Sequence, residues 1–122
     1  MYTYKAKVVR VIDGDTVDVA IDLGFKVTIN ARLRLAGIDA PEIRGKEKIE
    51  GFKSREWLVD RLPESILVTT GKEKGKYGRW IGTLYRYDVS DDEYVYEDVN
   101  GFKLANLNKT MVKVGLAEEV KY

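Results

Sequence analysis

The stretch VTINARLRL, residues 27–35, carries the clearest secondary-structure pattern in the chain. Apolar residues alternate with polar or charged ones along its whole length, which is the period of a half-buried β-strand. One face is predicted to be buried, and the opposite face is predicted to be solvated, with two arginines near its carboxyl end. The buried face carries Val27, Ile29, Ala31, Leu33 and Leu35, and the other face carries Lys26, Thr28, Asn30, Arg32 and Arg34.

Two further strands are predicted before this one. Residues 4–12 are rich in strand-forming side chains, and residues 16–22 alternate apolar and polar positions. Asp13-Gly14-Asp15 is a turn signal between them, and Gly24 turns the chain toward residues 27–35. The first 35 residues are therefore predicted to form three antiparallel strands.

A helix and two more strands are predicted after a charged loop at residues 42–50. Residues 52–62 suit a helix, which Pro63 ends. Residues 66–70 and 80–87 then suit strands, separated by a polar loop. Three strands, a helix and two strands are the order of a five-stranded Greek-key barrel of the OB type. The predicted fold class is α+β, mainly β, with this helix between strands 3 and 4 and a C-terminal helix at residues 104–114.

The length and composition predict one soluble globular domain, residues 1–122. Apolar residues make up 44% of the chain and charged residues 34%, which is ordinary for a folded domain. No apolar run approaches the roughly 20 residues of a membrane span, and no signal peptide is visible at the start. The expected location is cytoplasmic if the chain is complete as given, and secreted if it is an excised mature domain.

The missing residue types restrict the chemistry. The chain has no cysteine and no histidine, so disulfides, thiolate zinc sites, thiol nucleophiles and a histidine base are excluded. Carboxylates, arginine, lysine and tyrosine remain, and any metal is expected to be a hard cation. The net charge is only +1, but residues 88–98 hold six acidic residues and no basic one, so the remainder carries +7. The acidic stretch and the turn signal Asn100-Gly101 are expected to form an exposed, solvated hairpin or loop.

Three clusters of polar residues are candidates for a functional site. They are Asp13-Gly14-Asp15-Thr16, the stretch from Arg34 to Glu42, and Lys76-Tyr77-Gly78-Arg79. Each cluster alone is unspecific, because Asp-Gly-Asp commonly forms a turn and basic residues commonly lie on solvated faces. Asn108-Lys109-Thr110 matches a glycosylation acceptor, but it lies within the predicted closing helix and is interpreted as a chance match.

In this order and at this spacing, the three clusters resemble the staphylococcal nuclease (thermonuclease) family, over about residues 8–117. The resemblance implies that Asp15, Asp39 and the backbone carbonyl of Ala40 bind calcium, with Asp13 supporting the site from nearby. The family usually has threonine at the position of Ala40. The resemblance also implies roles for five further residues: Arg34 and Arg79 hold the scissile phosphate, Glu42 engages the attacking water, and Lys76 and Tyr77 contact a neighbouring phosphate.

Elementary chemistry agrees with these implied roles. Two carboxylates, a carbonyl and waters form a hard oxygen site of the kind that calcium prefers. Two guanidinium groups and a dication are the groups that stabilise negative charge as it develops on a phosphate. The sequence leaves open whether Glu42 acts as a true general base or mainly orients the water.

The resemblance implies a nucleic acid as the partner: single-stranded DNA, with RNA as a second expected substrate, cleaved to products that end in 3′-phosphate. The alternative is a non-catalytic OB-fold module that binds nucleic acid or protein, because barrels of this type often bind without cutting. The retention of Arg34, Arg79, Glu42, Asp15 and Asp39 together favours the enzyme. Base preference and the choice between monomer and dimer stay open.

Overall fold

The computed structural model describes residues 2–74 and 80–120, with the backbone alone at residues 71–74. The strands are β1 (Tyr2–Asp13), β2 (Thr16–Asp22), β3 (Thr28–Leu35), β4 (Ile38–Asp39), β5 (Ser65–Lys74), β6 (Trp80–Arg86), β7 (Val95–Val99), β8 (Phe102–Asn106) and β9 (Glu118–Glu119). A 3-10 turn at Gly45–Glu47 leads into α1 (Lys48–Arg61), and α2 is Leu107–Lys113. Neither helix in the described ranges has the length and hydropathy that crossing a membrane requires.

Five strands close into the predicted barrel. Their order is β3-β2-β1-β5-β6, and β6 pairs with β3 in parallel over Leu33–Leu35 to complete the ring. The interior is filled by the apolar residues that alternate along these strands, as a small barrel requires. α1 lies between the third and fourth barrel strands in sequence, and its Trp57 and Leu58 join the same core. The predicted fold class is therefore confirmed.

The strand 27–35 is confirmed, but only its carboxyl half is buried. Leu33 and Leu35 are fully buried, whereas Val27 and Ile29 are 49% and 43% exposed. The cause is the position of barrel closure, because β3 meets β6 only from Leu33 onward. The β2–β3 hairpin therefore projects beyond the closed ring, and alternation alone does not reveal where a barrel closes.

Both helices differ from the prediction at their amino ends. α1 begins at Lys48, four residues earlier than predicted, because charged residues and a glycine disguise its first turn. The predicted helix 104–114 was wrong at its start, since Phe102–Asn106 forms β8 and the Asn106 side chain accepts the Lys109 N–H at 2.9 Å to cap α2. Leu104 is buried in a strand, and Val114 is exposed instead of packed.

The acidic segment forms a hairpin, as expected, but it is not simply solvated. Asn100 and Gly101 have positive φ and join β7 to β8. Glu93 accepts hydrogen bonds from Trp57 Nε1 at 3.1 Å and from the Arg61 guanidinium at 2.8 Å. The segment is thus attached to α1, because its carboxylates meet cations from other parts of the chain.

One buried amide joins α2 to the barrel. Asn108 is 2% exposed; its Oδ1 accepts the Leu84 N–H at 3.1 Å, and its Nδ2 donates to the carbonyls of Ala36 and Gly82 at 3.0 and 3.1 Å. These bonds satisfy three backbone groups near the end of β3. The burial also agrees with the interpretation of Asn108-Lys109-Thr110 as a chance glycosylation match.

Gly51 brings α1 against the backbone of the loop that carries Glu42. A Cβ built at Gly51 would lie 2.1 Å from the Glu42 carbonyl oxygen and 2.7 Å from the Ile43 nitrogen. Both contacts are with backbone, which cannot rotate away. A glycine inside a helix usually weakens it, so this position is explained by the close approach of the loop.

We predict that Asn108→Leu lowers the free energy of unfolding by about 3 kcal/mol, because the Leu84 N–H and the Ala36 carbonyl lose the amide as their partner and the Gly82 carbonyl keeps only the Ala36 N–H. The melting temperature should fall by roughly 10 °C. Thermal denaturation followed by circular dichroism measures this. Asn30→Leu, on an exposed position of β3, is the matched control and should change the melting temperature little; equal effects at the two sites would contradict the role of Asn108.

Gly51→Ala should destabilise the protein by about 2 kcal/mol, because overpacking against a backbone carbonyl outweighs the roughly 1 kcal/mol that alanine contributes to a helix. Chemical denaturation of this variant gives the sign directly. Lys53→Ala, exposed on the same helix, is the control. An alanine variant at position 51 that is more stable than the wild type would show that the loop does not press on α1.

Candidate active site

One end of the barrel brings the first two polar clusters together. Asp15 lies in the turn between β1 and β2, and Arg34 lies near the end of β3, opposite Thr16 in the antiparallel register. The Leu35 N–H donates to the Asp15 carbonyl at 2.8 Å, which fixes the turn against the end of β3. The register that buries Leu33 and Leu35 therefore also places Arg34 beside Asp15.

Asp15 has a buried carboxylate with partners on both oxygens. Oδ2 accepts the Ala40 N–H at 2.9 Å, and Oδ1 accepts the Thr16 hydroxyl at 3.1 Å. The Asp15 N–H in turn donates to Asp13 Oδ1 at 3.1 Å. Asp13 thus shapes the turn that holds Asp15, in agreement with the nearby position that was expected for it.

The environment of Asp15 works against its ionised form. Burial is the largest effect and, with a hydrogen bond to the Asp13 side chain, raises the pKa of Asp15 to about 6. The Ala40 N–H and the Arg34 charge act in the opposite direction but do not cancel the burial. A cation near this carboxylate would relieve the cost, since an opposite charge favours the ionised form.

Arg34 connects the buried carboxylate to an exposed one. Its Nη1 lies 3.3 Å from Asp15 Oδ2, and its Nη2 lies 3.2 Å from Asp39 Oδ1. The Arg34 side chain is 15% exposed, compared with 62% for the Asp39 side chain. The guanidinium group therefore spans the boundary between the barrel end and solvent, with a rigid planar geometry that suits an anionic oxygen ligand.

Asp39 is positioned by the last described strand. β4 pairs with β9, so that Asp39 lies opposite Glu118, and the Val120 N–H donates to the Gly37 carbonyl at 2.9 Å. Backbone pairing holds the segment while the Asp39 side chain stays accessible. Residues 118–120 therefore support the site through backbone pairing.

Glu42 lies in the loop that follows Asp39 and Pro41. Its side chain is exposed, its N–H donates to Glu47 Oε2 at 3.2 Å, and its carbonyl faces Gly51. The loop backbone is thus fixed while the carboxylate of Glu42 faces solvent. This placement is compatible with the water-engaging role that the resemblance implies.

The donor set suits a hard cation in chemical type. Asp15 and Asp39 share Arg34 as a neighbour, and the backbone of Ala40 passes directly beside Asp15. Within residues 2–70 and 80–120, no three acidic side chains converge into a ready-made metal cage. A metal held here would take its remaining ligands from a carbonyl and from water, which calcium and magnesium both accept.

The structure brings some of the predicted site residues together, and others lie outside the part of the chain that it describes. Asp13, Asp15, Arg34, Asp39 and Ala40 come together in one cluster, and Glu42 follows in the adjoining loop. Lys76, Tyr77 and Arg79 lie outside the described residues. Arg32, on the same face of β3 as Arg34, instead binds Asp18 through two hydrogen bonds of 2.8 and 3.1 Å and belongs to the sheet.

Two glycines shape the site through close contacts that were not predicted from the sequence, although Gly14 itself belongs to the predicted turn. Gly51 fixes the Glu42 loop, and a Cβ built at Gly14 would lie 2.7 Å from Ser54 Cβ and 2.8 Å from Ala40 Cβ. The signal was present, because an isolated glycine inside a helix pattern often marks a close approach of backbone. It was missed at Gly51 because the predicted helix began at residue 52, whereas α1 begins at Lys48 and includes Gly51.

Comparison with known proteins gives a consistent result. A family model described as staphylococcal nuclease homologue matches residues 32–122. A micrococcal nuclease of Shigella flexneri is 34% identical over 122 residues, covering 98% of this chain and 60% of that protein. An uncharacterized endonuclease of Escherichia coli O157:H7 is 32% identical, covering 91% of this chain and 58% of its own length.

A further relative, protein ParB of Escherichia coli, is 37% identical over 81 residues, which cover 66% of this chain and 41% of that protein. The chain thus spans 41–60% of the length of these three relatives. The family model covers most of the chain and includes Arg34, Asp39 and Glu42. The chain therefore belongs to the staphylococcal nuclease homologue family.

Proposed function

We propose that residues 1–122 act as one nuclease domain that hydrolyses phosphodiester bonds of DNA and RNA in a calcium-dependent reaction, leaving 3′-phosphate ends. The observation that carries this proposal is the Arg34 guanidinium, which lies between the buried Asp15 and the exposed Asp39 at the end of the barrel. Membership of a nuclease family and the names of two relatives support the same activity.

Asp15, Asp39 and the Ala40 carbonyl would hold the calcium ion. Burial raises the pKa of Asp15, and a bound cation would offset this cost of ionising the carboxylate. The ligands are hard oxygen donors, which calcium prefers. Ala40 in place of the usual threonine keeps the carbonyl, so this ligand is unaffected by the change of side chain. When bound, calcium supplies positive charge that stabilises a developing phosphate anion.

Arg34 binds the scissile phosphate. Two of its nitrogens already point toward carboxylate oxygens at the site, so a phosphate oxygen can take similar hydrogen bonds without a large movement of the side chain. Arg79 is proposed as the second guanidinium on the same phosphate, from the resemblance. Both act most strongly when charge accumulates on the phosphate during attack.

Glu42 orients the attacking water. Its backbone is anchored by α1 and by Glu47, and its exposed carboxylate can accept a hydrogen bond from water. A carboxylate in this position can also take the proton of the water as it attacks, as general base catalysis requires. Lys76 and Tyr77 are proposed to contact the next phosphate of a single strand, and the basic residues of the 42–50 loop are proposed to attract the same strand.

Glu42→Gln should lower kcat for single-stranded DNA cleavage by about 10²-fold or more, because the amide cannot accept the proton of water. Arg34→Lys should lower it comparably, since lysine keeps the charge but loses the planar fork. A discontinuous gel assay with calcium, magnesium or chelator measures both. Glu50→Gln, an exposed carboxylate on α1, is the matched control and should keep wild-type activity.

Wild-type protein that binds single strands but does not cut them with either metal would overturn the nuclease proposal and favour the binding module. Full activity of the Glu42→Gln variant would remove the role given to the glutamate alone. Cleavage with magnesium but not with calcium would instead overturn the choice of metal. Mass analysis of the products distinguishes 3′-phosphate from 5′-phosphate ends.

Calcium binding should weaken as pH falls below about 6. The folded pKa of Asp15 is raised above its ordinary value of 3.8, so the protonated form stabilises the metal-free fold at low pH, and this contribution is lost as pH rises through about 6. Calcium requires the ionised form and competes with the proton. The rise in melting temperature on adding calcium should therefore be large at pH 7.5 and small at pH 5.

Differential scanning fluorimetry across this pH range tests the linkage between proton and metal. Asp15→Asn is the control: it keeps an oxygen to accept the Ala40 N–H, and it should remove the calcium-induced rise at every pH. A rise that is independent of pH in the wild type would show that Asp15 is not a ligand.

A further inference from the structure

A groove on the outer face of the barrel lies away from the candidate active site. Its floor is built by β1, β2 and β5, where Lys7 lies opposite Ala20 on one side and Ser65 on the other. The β2–β3 turn forms one wall, and Tyr87 and Phe102 form the other. This outer groove encloses about 960 Å³.

The wall formed by the β2–β3 turn has an unusual sequence. Phe25 and Lys26 have φ of +53° and +62°, a conformation that bulky side chains rarely adopt. The β7–β8 turn of the same protein has positive φ at two corresponding positions and places Asn100 and Gly101 there, which is the preferred chemistry for such a turn. The Phe-Lys pair therefore costs stability that the Asn-Gly pair does not.

The strained turn presents its aromatic ring to solvent. Phe25 is fully exposed, and Phe102 and Tyr87 across the groove are 69% and 56% exposed. Packing among the described residues does not explain these rings, and exposed apolar clusters usually mark interaction sites. Aromatic rings on two walls of an open groove suit a flat ligand that stacks.

The groove also carries positive charge that is not neutralised locally. Lys5 and Lys7 on the floor and Lys26 on the wall form no ion pair with any residue whose side chain the structure describes. Asp22 is the acidic residue that lines the groove, and its Oδ1 accepts the Gly24 N–H at 2.8 Å within the turn. Lysines combined with exposed aromatic rings are the composition of surfaces that bind single-stranded nucleic acid.

The distance to the active site suits a second contact on one strand. β2 has Thr16 beside the candidate site and Asp22 in the groove, a separation of about 20 Å at ~3.3 Å per residue. About six nucleotides span this distance at the duplex spacing of ~3.4 Å, and fewer are needed when a strand is extended. Arg10, exposed on β1 between the groove and the site, adds a cation along the path.

We propose that the outer groove binds single-stranded nucleic acid several nucleotides from the scissile bond, with bases stacked on Phe25 and phosphates near Lys5, Lys7 and Lys26. This inference rests on the proposed function, because the strand in the groove is a continuation of the substrate. The groove thereby selects long strands over short ones.

The test measures binding with chelator present, so that no cleavage is needed. Fluorescence anisotropy compares labelled oligothymidylates of about three and about twelve nucleotides at several salt concentrations. The variants are Lys5→Ala/Lys7→Ala and Phe25→Asn, and Lys53→Ala on α1 is the matched surface-lysine control. Chemical crosslinking of a strand that carries 5-iodouridine then locates the contacted aromatic residue by mass spectrometry.

The wild type should bind the longer strand at least tenfold more tightly. The double lysine variant should lower the slope of log K against log salt by about 1.4, since each phosphate that a lysine neutralises on a single strand contributes ~0.7. Phe25→Asn should weaken binding of the longer strand about fivefold or more by loss of stacking, while its melting temperature rises by roughly 3 °C because asparagine relieves the turn. A merely structural role for Phe25 would not give opposite changes in binding and stability.

Several results would overturn the inference: equal affinity for short and long strands, wild-type binding by both groove variants, or crosslinks that avoid Phe25, Tyr87 and Phe102. A dimer in light scattering that Phe25→Asn dissociates would assign the groove to a second copy of the chain instead. The nuclease proposal and the groove proposal can fail independently. Protein that binds the long strand through the groove but never cuts it would overturn the nuclease activity alone.

Discussion

The site end of the barrel is organised around the buried carboxylate of Asp15. Burial of an ionised group is costly unless hydrogen bonds and opposite charge compensate for it. The Ala40 N–H, the Thr16 hydroxyl and the Arg34 guanidinium supply part of this compensation, at 2.9, 3.1 and 3.3 Å, although burial still raises the pKa of Asp15. Because these groups come from three segments of the chain, satisfying Asp15 also fixes the turn after β1, the end of β3 and the segment after β4 relative to one another.

The two ends of the β2–β3 hairpin have opposite characters as a result. At the site end, β3 is enclosed by β6 and its apolar residues are buried, so the positions of functional groups are fixed. At the far end, the hairpin leaves the closed ring and bears a turn whose sequence opposes its conformation. Burial is thus concentrated where the charged groups are held in place, and the unfavourable turn lies beside the groove for which a ligand is proposed.

Alternation and motif order were enough to predict the barrel, its helix and the members of the Asp15–Arg34–Asp39 cluster. They could not locate the point where β3 meets β6, because closure depends on distant pairing and not on the local period.

The spacing of Leu104, Leu107 and Met111 fits a helix, yet Leu104 belongs to β8. A buried side chain does not reveal its backbone conformation when only a few positions are sampled. Gly51 and Asn108 were missed as structural residues because each contacts backbone outside its own helix, and the local sequence pattern does not reveal such contacts.

The charge distribution along the sequence also differs from the distribution in space. Residues 88–98 hold six carboxylates, but Asp88, Glu93 and Glu97 pair with Arg86, Arg61 and Lys109, which were counted in the basic remainder. Those cations are therefore not available to attract a polyanion. The attraction of a polyanion depends on charge that is not neutralised locally, and not on the sum over the chain. In salt this attraction decays within about 10 Å. Lys5, Lys7 and Lys26 meet this criterion together, so a net charge of +1 is no argument against a nucleic-acid partner.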